Sequence, residues 1–587
     1  LNGAILTGGV EIKDTSFRGL ISQGMMCSYE ELGFEDKVIP KEFKDGILIL
    51  NSDTQIGIDI SEALKLYGKV LEIEITFNRP DCLSIVGIAR ETAATLNTEF
   101  KYPEIKIENE YDNVKDYFDE VKIENEDLCD RLYARVIKDI KVEPSPQWLQ
   151  RKLMDAGMRP INNIVDITNY VMLELGQPLH AYDLEKLGGK KLIARKPING
   201  ETLITLDQVE RKLDENMLII ADADKPVGIA GVMGGYDSEI SEDTKIMLLE
   251  SASFNSKSIR NTSKKFGLRS EASARNEKGL HYMYVEDGCE RACQLIEILG
   301  AGKIVKGKFD AGKTSYKKPE VQLRPHRVEM LLGVKIEVEQ MLEILNKLEI
   351  ESVFENGIIK CTIPYYRLDI EQEADLIEEI GRIYGFHNIK SKPLEGTIQK
   401  GKKSKKRETE DYIKHLLTGL GLMEITTYSF ISPKAYNNIC VPEENELRNC
   451  IELLNPLGED YSIMRTTLIP NMLDVVRRNN NRGVQKAYLY EIGNVFIPKQ
   501  IPITELPLEK STLCIGMYGE CDFFNLKGIV QQIMERFGIE YTIESIEDNS
   551  IFHSGRTAGL YVENELMGIF GEIHPQVLEN YNIDCRV

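Results

Sequence analysis

The chain has 587 residues, and its 94 acidic and 72 basic side chains give a formal charge of −22, which argues against non-specific nucleic-acid binding by the whole surface but leaves room for a local basic site. At about 150 residues per domain it holds roughly four domains, each with ample core. No apolar run approaches the ~18 residues of a membrane span, and eleven scattered cysteines without a CxxC pair predict reduced thiols and a cytoplasmic protein.

In chain order, residues 1–58 are short β-like runs broken by glycine, "GAILTGGVEIKDTSFRGLISQGMMCS" and then "DGILIL", which predict part of a small barrel. Residues 59–119 read as a connecting α/β segment. Within it, "EIEITFNRPDCLSIVGIARETAATL" (72–96) predicts a strand stopped by Pro80 and a helix with Asp81 as its N-cap. A larger mixed α/β block spans 120–310. It contains "SPQWLQRKLMDAGMRPINNIVDITNYVMLELGQPLHAYD", β-rich "KLIARKPINGETLITLD", the glycine turn "GIAGVMGGYDSEI", and "KIMLLESASF" as a buried strand.

Cys289 and Cys293 lie i, i+4 on a predicted helix without two further ligands, so zinc is not expected. Gly307, Gly312, Lys313 and Thr314 fit the P-loop pattern GxxxxGK[ST]. That mechanism needs a helix opening at the lysine, whereas "SYKKPEVQLRP" follows with two prolines, and the match is rejected. The stretch 312–325 predicts a boundary. A helix-rich unit (316–391) comes next. "KGKKSKKR" (400–407) reads first as a solvated linker and second as a basic contact. An α/β domain closes the chain (392–587).

"RLDIEQEADLIEEIGRIYG" (367–385) places six carboxylates between Asp369 and Glu379. From Leu376 on it predicts an amphipathic helix, with Leu376, Ile377, Ile380, Ile383 and Tyr384 in one apolar stripe. Asp375, Glu378 and Glu379 share the opposite face, where like charges repel by about 0.2–0.5 kcal/mol per pair. Two things cancel such repulsion: a helix N-terminus with Arg382 one turn on, or a hard cation such as Mg²⁺. Spacing alone leaves both open.

Seven stretches carry a resemblance: "RGLISQGMMCSYEELG" (18–33), "TFNRPDCLSIVGIARE" (76–91), "GMRPINNIVDITNYVMLELGQPLHAYD" (157–183), "LESASF" (249–254), "LRPHRVEMLLG" (323–333), "DIEQEADLIEEIGRIYGF" (369–386) and "NPLGEDYSIMRTTLIPNML" (455–473). In this order, over nearly the whole chain, they resemble the β subunit of bacterial phenylalanyl-tRNA synthetase. The resemblance implies a multidomain α+β chain: a partial OB-type (tRNA-binding) barrel, a mixed α/β editing domain at 120–310, a small helix-rich, winged-helix-like domain, and a class II synthetase catalytic-like α/β domain. It implies an α2β2 enzyme that joins phenylalanine to tRNA(Phe) with ATP, with the ligase site in the α subunit. The chain opens on Leu1 and stops at "YNIDCRV", so both ends read as cuts. The family continues before them with the start of the barrel and after them with a ferredoxin-like anticodon-binding domain.

The resemblance further implies a Mg²⁺ site, shared with α, at Asp369, Asp375, Glu378 and Glu379. It implies an editing pocket for tyrosine wrongly attached to the tRNA, made of Arg159, Thr168, Asn169, His180, Gly234, Glu250, Ser270 and Ala272. Chemically, Arg159 suits a terminal phosphate, Thr168 and Asn169 the ribose or ester, and Gly234 a close approach of backbone to a ligand. Ala272 leaves room for a ring, and His180 suits a water or the terminal adenosine; as a lone histidine it also reads as a packed or capping residue. Glu250 follows the apolar "IMLL" and needs a partner. "SARNEKGL" (273–280) departs from the family at Asn276 and Lys278, and Ser270 stands where threonine is expected. Two other functions make different predictions. A free-standing editing hydrolase predicts no synthetase-like C-terminal domain, and an RNA-binding assembly protein does not require the pocket residues together.

Overall fold

The computed structural model describes residues 2–587 apart from 51, 53, 67, 394, 398 and 399, and at 17 and 42 the backbone alone. In chain order, the elements that position the site are helix α1 (Ile85–Leu96), strand β1 (Cys129–Lys138), helices α2 (Gln147–Asp155) and α3 (Asn163–Leu175), strands β2 (Leu179–Asp183), β3 (Lys191–Arg195), β4 (Ile219–Ala221), β5 (Pro226–Ile229), β6 (Met233–Gly234) and β7 (Ile246–Phe254), and helices α4 (Glu271–Asn276), α5 (Tyr284–Leu299) and α6 (Glu373–Tyr384). The chain divides into two compact units, Leu1–Pro393 and Leu394–Val587, so the stretch 312–325 lies inside the first.

"KIMLLESASF" forms β7, buried from Met247 to Phe254 because strands flank it on both edges and cores cover both faces. It pairs antiparallel with β1 on one side and β2 on the other. Its alternate residues serve different cores. Met247 and Leu249 join Ala181 of β2 and the apolar faces of α3 and α5. Leu248 and Ala252 join Tyr182 and face a second sheet, ordered β6, β5, β4, β3 and Glu120–Ile123. The predicted cysteine pair falls on α5 with both side chains fully buried in the first of these cores.

The N-terminal stretch is less regular than its composition predicts. Among the described residues it holds a two-stranded hairpin, Thr15–Phe17 with Leu20–Ser22, and an isolated Ile5–Glu11 bridge. "DGILIL" and "EIEITF" form no strand. Among the described residues Leu48 alone of "DGILIL" donates to a neighbouring strand-like segment, at the Cys27 carbonyl, 2.9 Å, which does not make a ladder, and Val70, Leu71 and Ile73 stay exposed. Asp81 does not cap α1. Ser84 does, accepting from the Gly87 N–H at 3.0 Å, while Asp81 sits in a one-turn helix, Pro80–Cys82, and holds Arg79. Gly87 is needed there, since a Cβ would lie 1.9 Å from the Asp81 carbonyl oxygen.

Between 316 and 391 the helices share the space with a three-stranded sheet, Glu320–Leu323, Ile358–Thr362 and Glu351–Glu355. No helix opens at Lys313, as the rejected P-loop match requires. Helix α6 begins at Glu373, three residues before the apolar stripe, because Asp375 turns back and accepts the Glu371 and Gln372 N–H groups at 2.9 and 2.8 Å.

In the second unit, the last three residues of "KGKKSKKR" are helix rather than linker. Lys405–Gly419 is helical, with Ser404 as N-cap. Asp411, one turn beyond Arg407, takes Lys403 at 2.6 Å and Arg407 at 3.1 Å. The longest hairpin, Ala487–Ile497 with Leu508–Tyr518, and the pair Phe552–Val562 with Glu565–Ile573 leave one free edge each. Consecutive residues 510–517 and 566–573 of those edges line a cavity of about 1120 Å³.

Candidate functional site

The site grows from strand pairing. In the β2–β7 ladder His180 stands directly across from Glu250, and Tyr182 stands across from Leu248, so Tyr182 is the diagonal same-face neighbour of Glu250. A diagonal pair is within reach of long side chains, and the Tyr182 hydroxyl donates to Glu250 Oε2 at 2.5 Å. The His180 and Tyr182 rings meet edge to face, with centroids 4.5 Å apart.

The second sheet covers these rings with two glycines, Gly228 of β5 and Gly234 of β6, which are themselves ladder partners. A Cβ on Gly234 would lie 2.3 Å from His180 Cε1 and 2.5 Å from Nε2, and one on Gly228 would lie 3.5 Å from the Tyr182 hydroxyl. Gly234 therefore admits a close approach, but of the His180 ring rather than of a ligand.

Burial sets the charges. Glu250 is 5% exposed, and burial raises its carboxyl to about 7 against the lowering effect of the Tyr182 hydrogen bond. Burial depresses His180 to about 4, so its imidazole is neutral at pH 7. His180 keeps part of its surface open, but Nε2 is closed off and has no hydrogen-bond partner among the described residues. The arrangement offers one neutral imidazole and one carboxyl able to gain or lose a proton near neutrality.

The remaining predicted pocket residues divide. Ser270 caps α4 by accepting from the Ser273 N–H at 3.0 Å, and its hydroxyl donates to the Val232 carbonyl at 2.8 Å. Asn276 donates to the carbonyls of Ala272 and Gly231 at 3.1 and 3.3 Å. Both ends of α4 are thus tied to the loop just before Gly234. Thr168 instead donates to the Val165 carbonyl of its own helix at 2.7 Å, and Arg159 donates to the Asp36 carbonyl at 2.7 Å. No described hydrogen bond joins Arg159, Thr168 or Asn169 to His180 or Glu250. Helix α3, which carries Thr168 and Asn169, packs on the sheet face opposite Tyr182 and Leu248. Sequence reasoning missed Tyr182 and Gly228. The alternation in "HAYD" does place Tyr182 on the same strand face as His180.

The four predicted metal carboxylates do not form a cage within this chain. Arg367 holds Asp369 with two bonds, 2.9 and 2.8 Å, and Glu379 at 2.7 Å. Arg382 joins Glu379 at 2.7 Å and Glu91 at 2.5 Å, and Arg79 joins Glu91 at 2.5 Å and Asp81 at 2.8 Å. The result is one alternating chain, Asp369–Arg367–Glu379–Arg382–Glu91–Arg79–Asp81. Burial alone would raise the Glu379 carboxyl, but Arg367 and Arg382 bring it down to about 2. Asp375 is occupied by backbone N–H groups, and Glu378 is exposed. Oxygen donors suit Mg²⁺, but arginines already meet the charges of Asp369 and Glu379. Among the described residues, the group whose ligand atoms lie within 4.8 Å of one another is Asp81, Cys82 and Glu91, and Arg79 holds two of these.

Sequence models of three domain families match: the B3/4 domain at residues 128–300, the tRNA synthetase B5 domain at 321–386, and the phenylalanyl tRNA synthetase beta chain CLM domain at 389–587. The chain is 46% identical over 588 residues to the phenylalanine–tRNA ligase beta subunit of Clostridium tetani, covering all of this chain and 73% of that protein. It belongs to the phenylalanine–tRNA ligase beta subunit family. Other members are that of Clostridium acetobutylicum, 44% identical with all of this chain and 73% of that protein covered, and that of Bacillus subtilis, 37% identical with 99% and 73% covered. The Glu250, His180 and Tyr182 cluster falls in the part matched by the B3/4 domain, and the acidic helix α6 in the part matched by the B5 domain.

Proposed function

We infer that this chain serves as the beta subunit of a phenylalanine–tRNA ligase, contributing tRNA binding, assembly with an alpha subunit and hydrolytic editing of tyrosyl-tRNA(Phe). The observation that carries the editing reading is the buried Glu250 carboxyl, facing His180 within the B3/4 match. Tyrosine and phenylalanine differ by one phenolic hydroxyl, and a pocket that holds tyrosine also fits phenylalanine. A buried acceptor separates them, because phenylalanine leaves it unpaired. A site of this kind rejects the analogue lacking the hydroxyl by about 10⁴ to 10⁵. Oε2 of Glu250 is taken by Tyr182, and we assign Oε1 to the substrate hydroxyl.

This assignment divides the work along the substrate. The hydroxyl of a tyrosyl ester and its carbonyl lie at opposite ends of the amino acid. Glu250 and His180 serve the hydroxyl end, with Ala272 and Ser270 beside them. Thr168, Asn169 and Arg159 are left for the ester, ribose and phosphate. At that end water adds its oxygen to the carbonyl carbon, the bond to the ribose oxygen breaks, and a proton passes to that oxygen.

Around the pocket we assign 1–58 to a partial tRNA-binding barrel, 59–119 to a connector, 120–310 to the editing domain and 316–391 to a small winged-helix-like domain. Residues 392–587 form a catalytic-like synthetase core in an α2β2 assembly, with ATP used at the alpha subunit. The CLM match at 389–587 favours this over a free-standing hydrolase. Mg²⁺ at the acidic helix requires donors from a second chain, with Glu378 as the exposed carboxylate on this side. Among the described residues, no helix is long and apolar enough to cross a membrane, in keeping with a cytoplasmic placement.

The test is single-turnover hydrolysis of preformed tyrosyl-tRNA(Phe) and phenylalanyl-tRNA(Phe) by the chain assembled with its alpha subunit. Glu250→Ala should slow tyrosyl-tRNA cleavage by roughly tenfold to a hundredfold and leave phenylalanylation unchanged. Undiminished cleavage would reduce Glu250 to a structural carboxylate.

A further inference from the structure

The predicted pocket contained no second phenol, yet the structure places one against the carboxylate that would read a phenol. Tyr182 is buried, its hydroxyl donates to Glu250 Oε2 at 2.5 Å, and it is the described donor to that carboxylate. Its ring is wedged against His180 on one side, with Gly228 beneath the hydroxyl. The other titratable groups facing Glu250 are His180, across the ladder, and Cys129 of β1, whose thiol is pushed up by burial and then by the Glu250 charge. No lysine or arginine is among them, so the Tyr182 bond alone favours the ionised carboxylate.

We propose that Tyr182 is the positioning residue for tyrosine recognition: its phenol fills Oε2 of Glu250, fixes the carboxylate plane, and leaves Oε1 as the one acceptor for the side-chain hydroxyl of a tyrosyl ester. This rests on the editing reading above. Without the Tyr182 hydroxyl the carboxylate has two vacant oxygens, no fixed plane and nothing to favour its charge. The substrate hydroxyl then meets an acceptor that must first be oriented, while phenylalanine loses nothing it had.

The experiment is Tyr182→Phe, which keeps the ring and removes one oxygen. In the assembled enzyme, single-turnover hydrolysis of tyrosyl-tRNA(Phe) should slow by about tenfold, the loss of one hydrogen bond to a charged group. Hydrolysis of phenylalanyl-tRNA(Phe) should stay unchanged, so the ratio of the two rates falls tenfold. In the chain alone, the Glu250 carboxyl band is identified by infrared difference against Glu250→Gln. Its titration midpoint should move upward by about one pH unit in Tyr182→Phe, because the bond removed was the one lowering it.

An unmoved midpoint, or equal slowing on both esters, would overturn the proposal and leave Tyr182 as packing. If the wild-type enzyme cleaves tyrosyl-tRNA no faster than Glu250→Ala, the editing reading falls and the proposal with it. The infrared titration still reports in that case whether Tyr182 governs Glu250, so the two failures are told apart.

Discussion

Replacing Glu250 by glutamine should make the protein gain stability relative to the wild type as pH rises. The carboxyl lies at about 7 in the fold against an ordinary value of 4.5. Between those values the folded state binds more protons than the unfolded one, so the Glu250 contribution is fully present below about pH 4.5 and lost as pH rises through 7. The displacement corresponds to about 3 kcal/mol in all, and to about 2.5 kcal/mol between pH 5 and 8. His180 works in the opposite sense. Depressed from 6.5 to about 4, it contributes stability above pH 6.5 that is lost as pH falls through 4. It is present in both proteins and drops out of their difference. Glutamine still accepts from Tyr182, which leaves a constant offset of about 1 kcal/mol. The assay is urea unfolding at pH 5, 6, 7 and 8, followed by Trp148, the one tryptophan of the chain. Trp148 lies on α2 and packs edge-on to Tyr170 of α3 at 5.8 Å, inside the same unit as the pocket. A wild-type-minus-mutant difference constant to within about 0.5 kcal/mol across this range would show that burial does not raise Glu250, and the argument would fail.

Gly234→Ala puts a methyl 2.3 Å from His180 Cε1, so the ring must shift; a stability loss of about 1–3 kcal/mol and slower tyrosyl-tRNA hydrolysis with normal phenylalanylation are expected, and no change in either would mean that the ring has slack. Arg367→Met leaves Asp369 without its partner and Glu379 with Arg382 alone, so urea unfolding should show a loss of about 3–5 kcal/mol; recovery of that loss by millimolar Mg²⁺ would identify the carboxylates as metal-competent once the arginine is gone. Glu378→Gln, on the exposed side of α6, should alter stability by less than about 0.5 kcal/mol, and size-exclusion chromatography with the alpha subunit, with and without chelator, reads its part in assembly. Assembly unchanged by both the mutation and the chelator argues against Mg²⁺ there.

The buried strand β7 was legible because an unbroken apolar run bounded by charge suits a strand covered on both faces. The alternation of "LHAYD" likewise carried the face shared by His180 and Tyr182. Their meeting with Glu250 was not legible, since it depends on the register between strands some 68 residues apart in the chain. Composition misled at "EIEITF", whose residues favour a strand but have no strand partner among the described residues. The acidic helix shows the division most clearly. Its stripe and its facing carboxylates could be read from spacing, and so could the nearby Arg382. The role of Arg367 in clamping Asp369 and Glu379 together could not, because it needs the bend between 369 and 373. The contact of Arg382 with Glu91 spans 291 residues, beyond any local pattern. Asp81 looked like a cap because aspartate before a helix often is one; Arg79, two residues away, was the stronger attraction.

The alternating chain from Asp369 to Asp81 also has an order of completion. During synthesis the segment holding Arg79, Asp81 and Glu91 leaves the ribosome nearly 300 residues before Arg367 and Arg382. Until then Glu91 has Arg79 as its partner, and it gains Arg382 only when the later helix is made. The alternating chain is therefore completed only once residue 382 has been made. A fragment ending before residue 366 keeps the walls that Leu175, Gly176, Leu280, His281 and Tyr284 give to Pro80 and Asp81 and loses those of Tyr366 and Leu368, so limited proteolysis should cut it at this turn more readily than the full chain.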